Sequence, residues 1–313
     1  MPEPTRGIHH ITCGAGAAQV NLDFYTEALG LRLVKVSVNQ DSPSVYHFFY
    51  GDATGQPGAD LTFFPQHGLP QGRRGAGQAT ATSFAVAPES VEPWIERLQK
   101  LDVPFDQPVE RFGQPVLPFY DPDGLRLELV ETGDADPDLA WHKGPVPADM
   151  GLCGFFGITA EVTDRAPTVD LLTDLFGFQR IGQEGDRLRL QARGGGPASI
   201  VDVIQNPDRG RMGVGIIQHL AWRTTNSDTQ EEYLAELAER GIANSGVVER
   251  YYFKSVYFRE PDGILYEIAT DGPGFTVDEP EESLGTRLAL PPFLESQRES
   301  IEARLPGIRW PAI

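Results

Sequence analysis

Residues 7–34 read GIHHITCGAGAAQVNLDFYTEALGLRLV, and residues 154–181 read GFFGITAEVTDRAPTVDLLTDLFGFQRI. A constant offset of 147 aligns the two without a gap: Gly7 falls on Gly154, Ile11-Thr12 on Ile158-Thr159, and Gly30 on Gly177. A second pair is related by an offset of 139, which carries Pro122-Asp123-Gly124 onto Pro261-Asp262-Gly263 and Glu128 onto Glu267. WIERL (94–98) and YLAEL (233–237) fall on that same offset. The chain is a duplication of a two-part tandem, so it holds four related units in the order A, B, A′, B′.

Each unit reads alike. A short alternating strand comes first, at 8–13, 80–86, 155–162 and 215–223, and an amphipathic helix follows. In the first unit the helix takes its apolar positions from Val20, Leu22, Phe24, Tyr25, Ala28 and Leu29, and Gly30 ends it. Three more strands follow, as at 31–38, 44–50 and 59–65. In the B units Pro-Asp-Gly makes the last hairpin turn. The expectation is an α+β fold of four βαβββ modules in two tandem pairs, forming cup-shaped mixed β-sheets with helices outside. Modules one and two occupy 1–135 and modules three and four 151–272. A C-terminal tail, 273–313, carries a short helix near 294–305.

Composition narrows the class. Of 313 residues, 40% are hydrophobic and 10% aromatic, as in an ordinary globular protein. The formal charge of −19 repels nucleic acid and anionic lipid, so neither is expected as a partner. Neither an export signal nor a membrane span is evident, and two cysteines, Cys13 and Cys153, are too few for a disulfide framework. A reduced, cytoplasmic location is expected.

Among six histidines, two fall at telling places. His10 lies in the first strand of module one and His219 in the first strand of module four. Glu267 lies on the last strand of module four, flanked by Ile264, Leu265, Tyr266 and Ile268, where a carboxylate needs a partner. Two imidazoles and a carboxylate form a facial triad with open coordination positions, which suits Fe(II) and oxygen chemistry, with Mn(II) as the substitute ion. In module three Gly157 takes the place of His10, and module two offers Thr80 or Thr82 where module four has His219. Only modules one and four together supply three ligands. They are therefore expected to form one cup, with modules two and three as a vacant partner and Glu128 as a relic or a solvated or internally paired acid.

These features resemble the vicinal oxygen chelate superfamily, which includes glyoxalases, bleomycin resistance proteins and extradiol dioxygenases. Within it the chain is similar to ring-cleaving dioxygenases of hydroquinones, from LDFYTEALGLRLVKVSVN (22–39), YHFFYGD (46–52) and ADLTFFP (59–65) to HLAWRT (219–224). The likeness continues through YFKSVYFREPDGILYEIATDGPGF (252–275) and LPPFLESQRESIEARLPGI (290–308). It implies His10, His219 and Glu267 as Fe(II) ligands, with catalytic or substrate-binding roles for His9, Thr12, Arg250 and Tyr257. Strand alternation puts Thr12 on the face of His10, where its hydroxyl could bond a substrate oxygen, and His9 on the opposite face. Gln218 stands where a second histidine is expected, and an amide cannot shuttle protons near neutral pH.

The implied activity is extradiol-type cleavage of a hydroquinone or related dihydroxy-aromatic, with the aromatic diol and O2 as small-molecule partners and a homodimer as one assembly open to it. Two other readings stand beside it. One is a glyoxalase-type lyase or isomerase, whose cup usually holds four protein ligands. The other is a non-catalytic protein that sequesters an aromatic drug.

Overall fold

The computed structural model describes residues 2–311. Module one comprises β1 (Ile8–Ala15), α1 (Ala18–Asp23), β2 (Arg32–Asn39), β3 (Ser42–Gly51) and β4 (Asp60–Pro65). Module two follows with β5 (Gln78–Val86), α2 (Val91–Lys100), β6 (Val109–Arg111), β7 (Gln114–Tyr120) and β8 (Arg126–Glu131). Module three has β9 (Phe155–Val162), α3 (Arg165–Asp174), β10 (Gln179–Glu184), β11 (Arg187–Gln191) and β12 (Ile200–Gln205). Module four has β13 (Ile216–Thr224), α4 (Ser227–Glu239), β14 (Asn244–Glu249), β15 (Lys254–Arg259) and β16 (Leu265–Thr270).

Among the described residues sixteen strands form two curled, mixed sheets of eight. One runs β14-β15-β16-β13-β1-β4-β3-β2 and the other β10-β11-β12-β9-β5-β8-β7-β6. Modules one and four thus share a sheet, as do two and three. The joins are antiparallel, β1 against β13 and β5 against β9. The sequence halves 1–135 and 151–272 are units of duplication, and each contributes one module to each sheet.

Alternation sorts the side chains by face. On β1, Ile11 and Cys13 enter the main core with Leu22, Tyr25, Phe48 and Phe63, while His10 and Thr12 point to the hollow of the sheet. The first helix is shorter than expected. After Asp23 it widens into a π turn (Phe24–Ala28), and Val20, expected on its apolar face, is 48% exposed. Gly30 ends it at φ 69° with the Val146 side chain packed where a Cβ would sit.

After β16 the chain folds back over the first sheet. Phe275 and Leu284 pack with Val34, Phe49, Tyr252 and Phe253 on the concave side. Ala289 then donates its N–H to the Val36 carbonyl at 2.8 Å. The expected tail helix is a single 3-10 turn (Glu295–Gln297) followed by α5 (Arg298–Glu302), with Leu294, Ile301 and Leu305 buried in the main core. It is fixed to module one by the Tyr46 hydroxyl, which donates to the Pro306 carbonyl at 3.0 Å. Among the described residues no helix is long and apolar enough to cross a membrane.

Candidate metal centre

His10 and His219 stand on the two strands that join modules one and four, and Glu267 on β16 beside β13. Their ligand atoms converge although 209 positions separate the histidines in sequence. His10 Nε2 lies 3.2 Å from His219 Nε2 and 3.3 Å from Glu267 Oε2, and His219 Nε2 lies 3.0 Å from that same oxygen. All three residues are buried.

The surrounding hydrogen bonds settle what those atoms offer. His9 Nε2 lies 3.1 Å from the Thr270 carbonyl, which can only accept, so that nitrogen carries the proton. His9 Nδ1 is then an acceptor, and His10 Nδ1, 3.0 Å away, donates to it. His10 Nε2 is left as a bare lone pair. His219 Nδ1 likewise donates to Gln218 Oε1 at 2.9 Å, which leaves its Nε2 bare. Ser255 donates to Glu267 Oε1, and Glu267 Oε2 is buried with no hydrogen-bond partner.

Three acceptors facing one another with no proton among them form an arrangement that a cation completes. In a regular octahedron, neighbouring ligands lie √2 bond lengths apart. The observed separations of 3.0–3.3 Å correspond to ligands about 2.1–2.3 Å from a common centre, as divalent ions require. The residues fit a metal ion on one face, with the opposite face open to the cavity. Burial, reinforced by His10, lowers the His9 pKa to about 3, so its imidazole is neutral.

A cavity of about 240 Å³ opens in front of His10 and His219. Phe49, Phe64, Tyr252 and Phe253 supply aromatic wall, and Arg250, Tyr257, Gln218 and His47 supply polar groups. Arg250 Nε donates to the Tyr257 oxygen at 3.2 Å, and its Nη1 pairs with Asp41 at 3.1 Å. Burial, then the Glu267 charge, raises the Tyr257 pKa and keeps it a phenol.

The structure departs from the sequence reading at three positions. His9 is not turned away from the site, because a register shift in the β1–β13 pairing between Ile8 and His10 breaks the alternation there. Thr12 faces inward as expected, but its hydroxyl is bonded to Thr62 Oγ1 at 2.8 Å and it does not line the cavity. In module two the partner of Thr159 is Ala81, as His219 is the partner of Thr12, so Ala81 and not Thr80 or Thr82 stands at the His219 position. The sequence reading does not single out His47. Alternation along β3, with Tyr46, Phe48 and Tyr50 in the main core, is the signal that places it inside.

The second sheet repeats the site without its ligands. A Cβ on Gly157 would lie 2.2 Å from the Ile200 carbonyl oxygen, so no side chain fits there. Glu128 is 1% exposed and bonded to Arg111 at 2.8 Å and to Ser83 at 2.9 Å, with Arg126 at 3.2 Å. Guanidinium groups replace the ion.

The Glyoxalase/Bleomycin resistance protein/Dioxygenase superfamily profile matches residues 7–129 and 157–268, both halves of the duplication. The chain belongs to that superfamily. Its full-length relatives within the superfamily are named as ring-cleaving dioxygenases. One from Bacillus subtilis, provisionally so named (MhqO), is 42% identical over 97% of each chain. The chlorohydroquinone/hydroquinone 1,2-dioxygenase of Sphingobium indicum is 33% identical over 96% of each. A crystal structure from Bacillus subtilis, provisionally titled a dioxygenase, superposes with a TM-score of 0.94 at 40% identity, covering 99% of this chain and all of that one.

Proposed function

We propose that this superfamily member binds Fe(II) through His10, His219 and Glu267 and opens the ring of a hydroquinone or related dihydroxy-aromatic with O2. The observation that carries the reading is the meeting of two bare imidazole nitrogens and one orphaned carboxylate oxygen at the floor of an aromatic-walled cavity. Three protein ligands leave room for two further molecules, which oxygenase chemistry needs. The names of the full-length relatives support the substrate class.

Bound iron would supply Lewis acidity toward a phenolic hydroxyl and the redox capacity that lets O2 react with a ring. The chain's own residues supply the rest. His9 and Gln218 fix the orientation and tautomer of the two imidazoles, and Ser255 fixes the carboxylate. Phe49, Phe64 and Phe253 hold the ring and exclude water. Arg250, bonded to the neutral Tyr257, places a cation and a phenol where a substrate oxygen gains negative charge. Cleavage falls between the hydroxylated carbon and its neighbour.

Anaerobic loading with Fe(II), followed by oxygen-electrode traces with methylhydroquinone, catechol and a hemithioacetal, tests the reading. Oxygen uptake with a diphenol is expected. Turnover of the hemithioacetal without oxygen would mark a lyase. Tight binding of diphenols without iron uptake or turnover would mark a sequestering protein.

A further inference from the structure

His47 stands in the cavity wall with its ring against Phe49 and Phe64, at centroid distances of 3.9 and 4.3 Å. No hydrogen bond or ring pair joins it to the three convergent residues. Its Nε2 lies 3.0 Å from Thr62 Oγ1, and Thr62 Oγ1 lies 2.8 Å from Thr12 Oγ1. Both threonines are fully buried. Among the described residues the Thr12 hydroxyl has no other hydrogen-bond partner.

The direction of this chain follows from that isolation. If His47 Nε2 carried the proton, it would donate to Thr62, Thr62 would donate to Thr12, and the Thr12 proton would be buried without an acceptor. A buried orphan donor costs more than one ordinary hydrogen bond yields. In the opposite direction Thr12 donates to Thr62, Thr62 donates to His47 Nε2, and every hydroxyl proton is used. His47 then carries its proton on Nδ1, which has no partner among the described residues. Burial, with His10 and His219 nearby, lowers the His47 pKa well below its usual value, so the ring is a neutral, one-proton donor.

We infer that His47 presents a fixed Nδ1–H donor to the cavity and binds the second ring oxygen of a diphenol, the one remote from the triad. Thr12 and Thr62 are positioning residues that hold its tautomer. The inference rests on the proposed ring-binding role of the cavity. It gives the site a reason to prefer a diol over a monophenol of the same shape, since a built donor rejects a ligand that lacks its acceptor.

Two measurements test it. Calorimetric titration of the Fe(II)-loaded protein under argon compares hydroquinone with 4-methylphenol, in which a methyl group replaces the distal hydroxyl. The wild type should favour hydroquinone by about ten-fold. His47→Phe should abolish that preference by weakening hydroquinone far more than 4-methylphenol, and His47→Asn, whose amide N–H can stand near Nδ1, should recover part of it. Equal losses for both rings, or a preference that survives His47→Phe, would overturn the inference and leave the proposed function standing. Binding of neither ring by the wild type would overturn both. Independently, nitrogen-15 spectra of histidine-labelled protein should show His47 protonated at Nδ1 and Thr62→Val should release that tautomer; protonation at Nε2 in the wild type would refute the inference.

Discussion

Glu267 and Glu128 occupy equivalent places in the two sheets, beside Ala221 on β13 and Ser83 on β5 respectively. One faces two lone pairs and the other faces two guanidinium groups. Glu267→Gln should therefore abolish metal uptake, measured by metal analysis after anaerobic loading. It should not lower the melting temperature of the metal-free protein, because an amide N–H can donate to an imidazole lone pair where the carboxylate oxygen could not. A gain of about 1 kcal/mol is the expected size. Glu128→Gln should show the reverse: full metal stoichiometry, with stability reduced by about 2 kcal/mol because two partly buried arginines lose their counter-charge. The pH dependence follows from the sign of the shift. Burial raises the Glu128 pKa, but Arg111 and Arg126 outweigh it and bring it below the ordinary value of 4.5. The unfolded chain therefore takes up this proton first as pH falls. The stabilisation is complete above pH 4.5 and is lost as pH drops through the lower, folded-state value, so Glu128→Gln should flatten the acid side of the stability curve in denaturant titrations. The triad itself was legible from repeat position, because a ligand type recurring or lapsing at one offset is visible in residues alone. Ala81 was not, because a loop gap in module two leaves the register open until strands pair. His47 was hidden by its surroundings, since nothing in YHFFY reports that it meets a chain of two hydroxyls, Thr62 on β4 and Thr12 on β1.

Among the elements, strand alternation served well wherever pairing was regular. It failed at His9, where the shifted register of β1 against β13 brings two successive imidazoles within 3.0 Å. A bulge belongs to a pair of strands, so one strand's sequence does not display it. The segment after β16 is rich in Gly, Pro and acid, a composition usual in exposed connections. Part of it is bound instead. Lys35, fully buried, donates to the Phe275 carbonyl at 3.1 Å and to Asp278 at 2.7 Å, and it also pairs with Glu279. It fastens the concave cover of the metal cup to β2. Lys35→Met removes the cation and leaves Glu279 buried without it. A loss of about 3 kcal/mol is expected, together with faster hydrogen exchange over 275–285. Unchanged exchange there would show that Phe275 and Leu284 hold the cover without the ion pairs.

For the whole molecule, duplication predicted the fold class, and counting ligands predicted which modules meet. The tail was less legible, because its buried residues Leu294, Ile301 and Leu305 pack into a core supplied by segments distant in sequence. Since the site takes ligands from modules one and four, ion binding should report on the entire first sheet. A metal present at about 100 times its dissociation constant adds about 2.7 kcal/mol to the folded state. Fe(II) or Mn(II) should therefore raise the melting temperature of the anaerobic wild type and leave His219→Ala unmoved.

The join between the first and last modules also bears on synthesis. Modules two and three are neighbours along the chain, so their sheet can close while translation continues. The other sheet cannot, because β1 waits for β13 and β16. Until then only His10 of the three convergent residues has been made, so the candidate metal site is completed after the ion-paired sheet already stands as a scaffold.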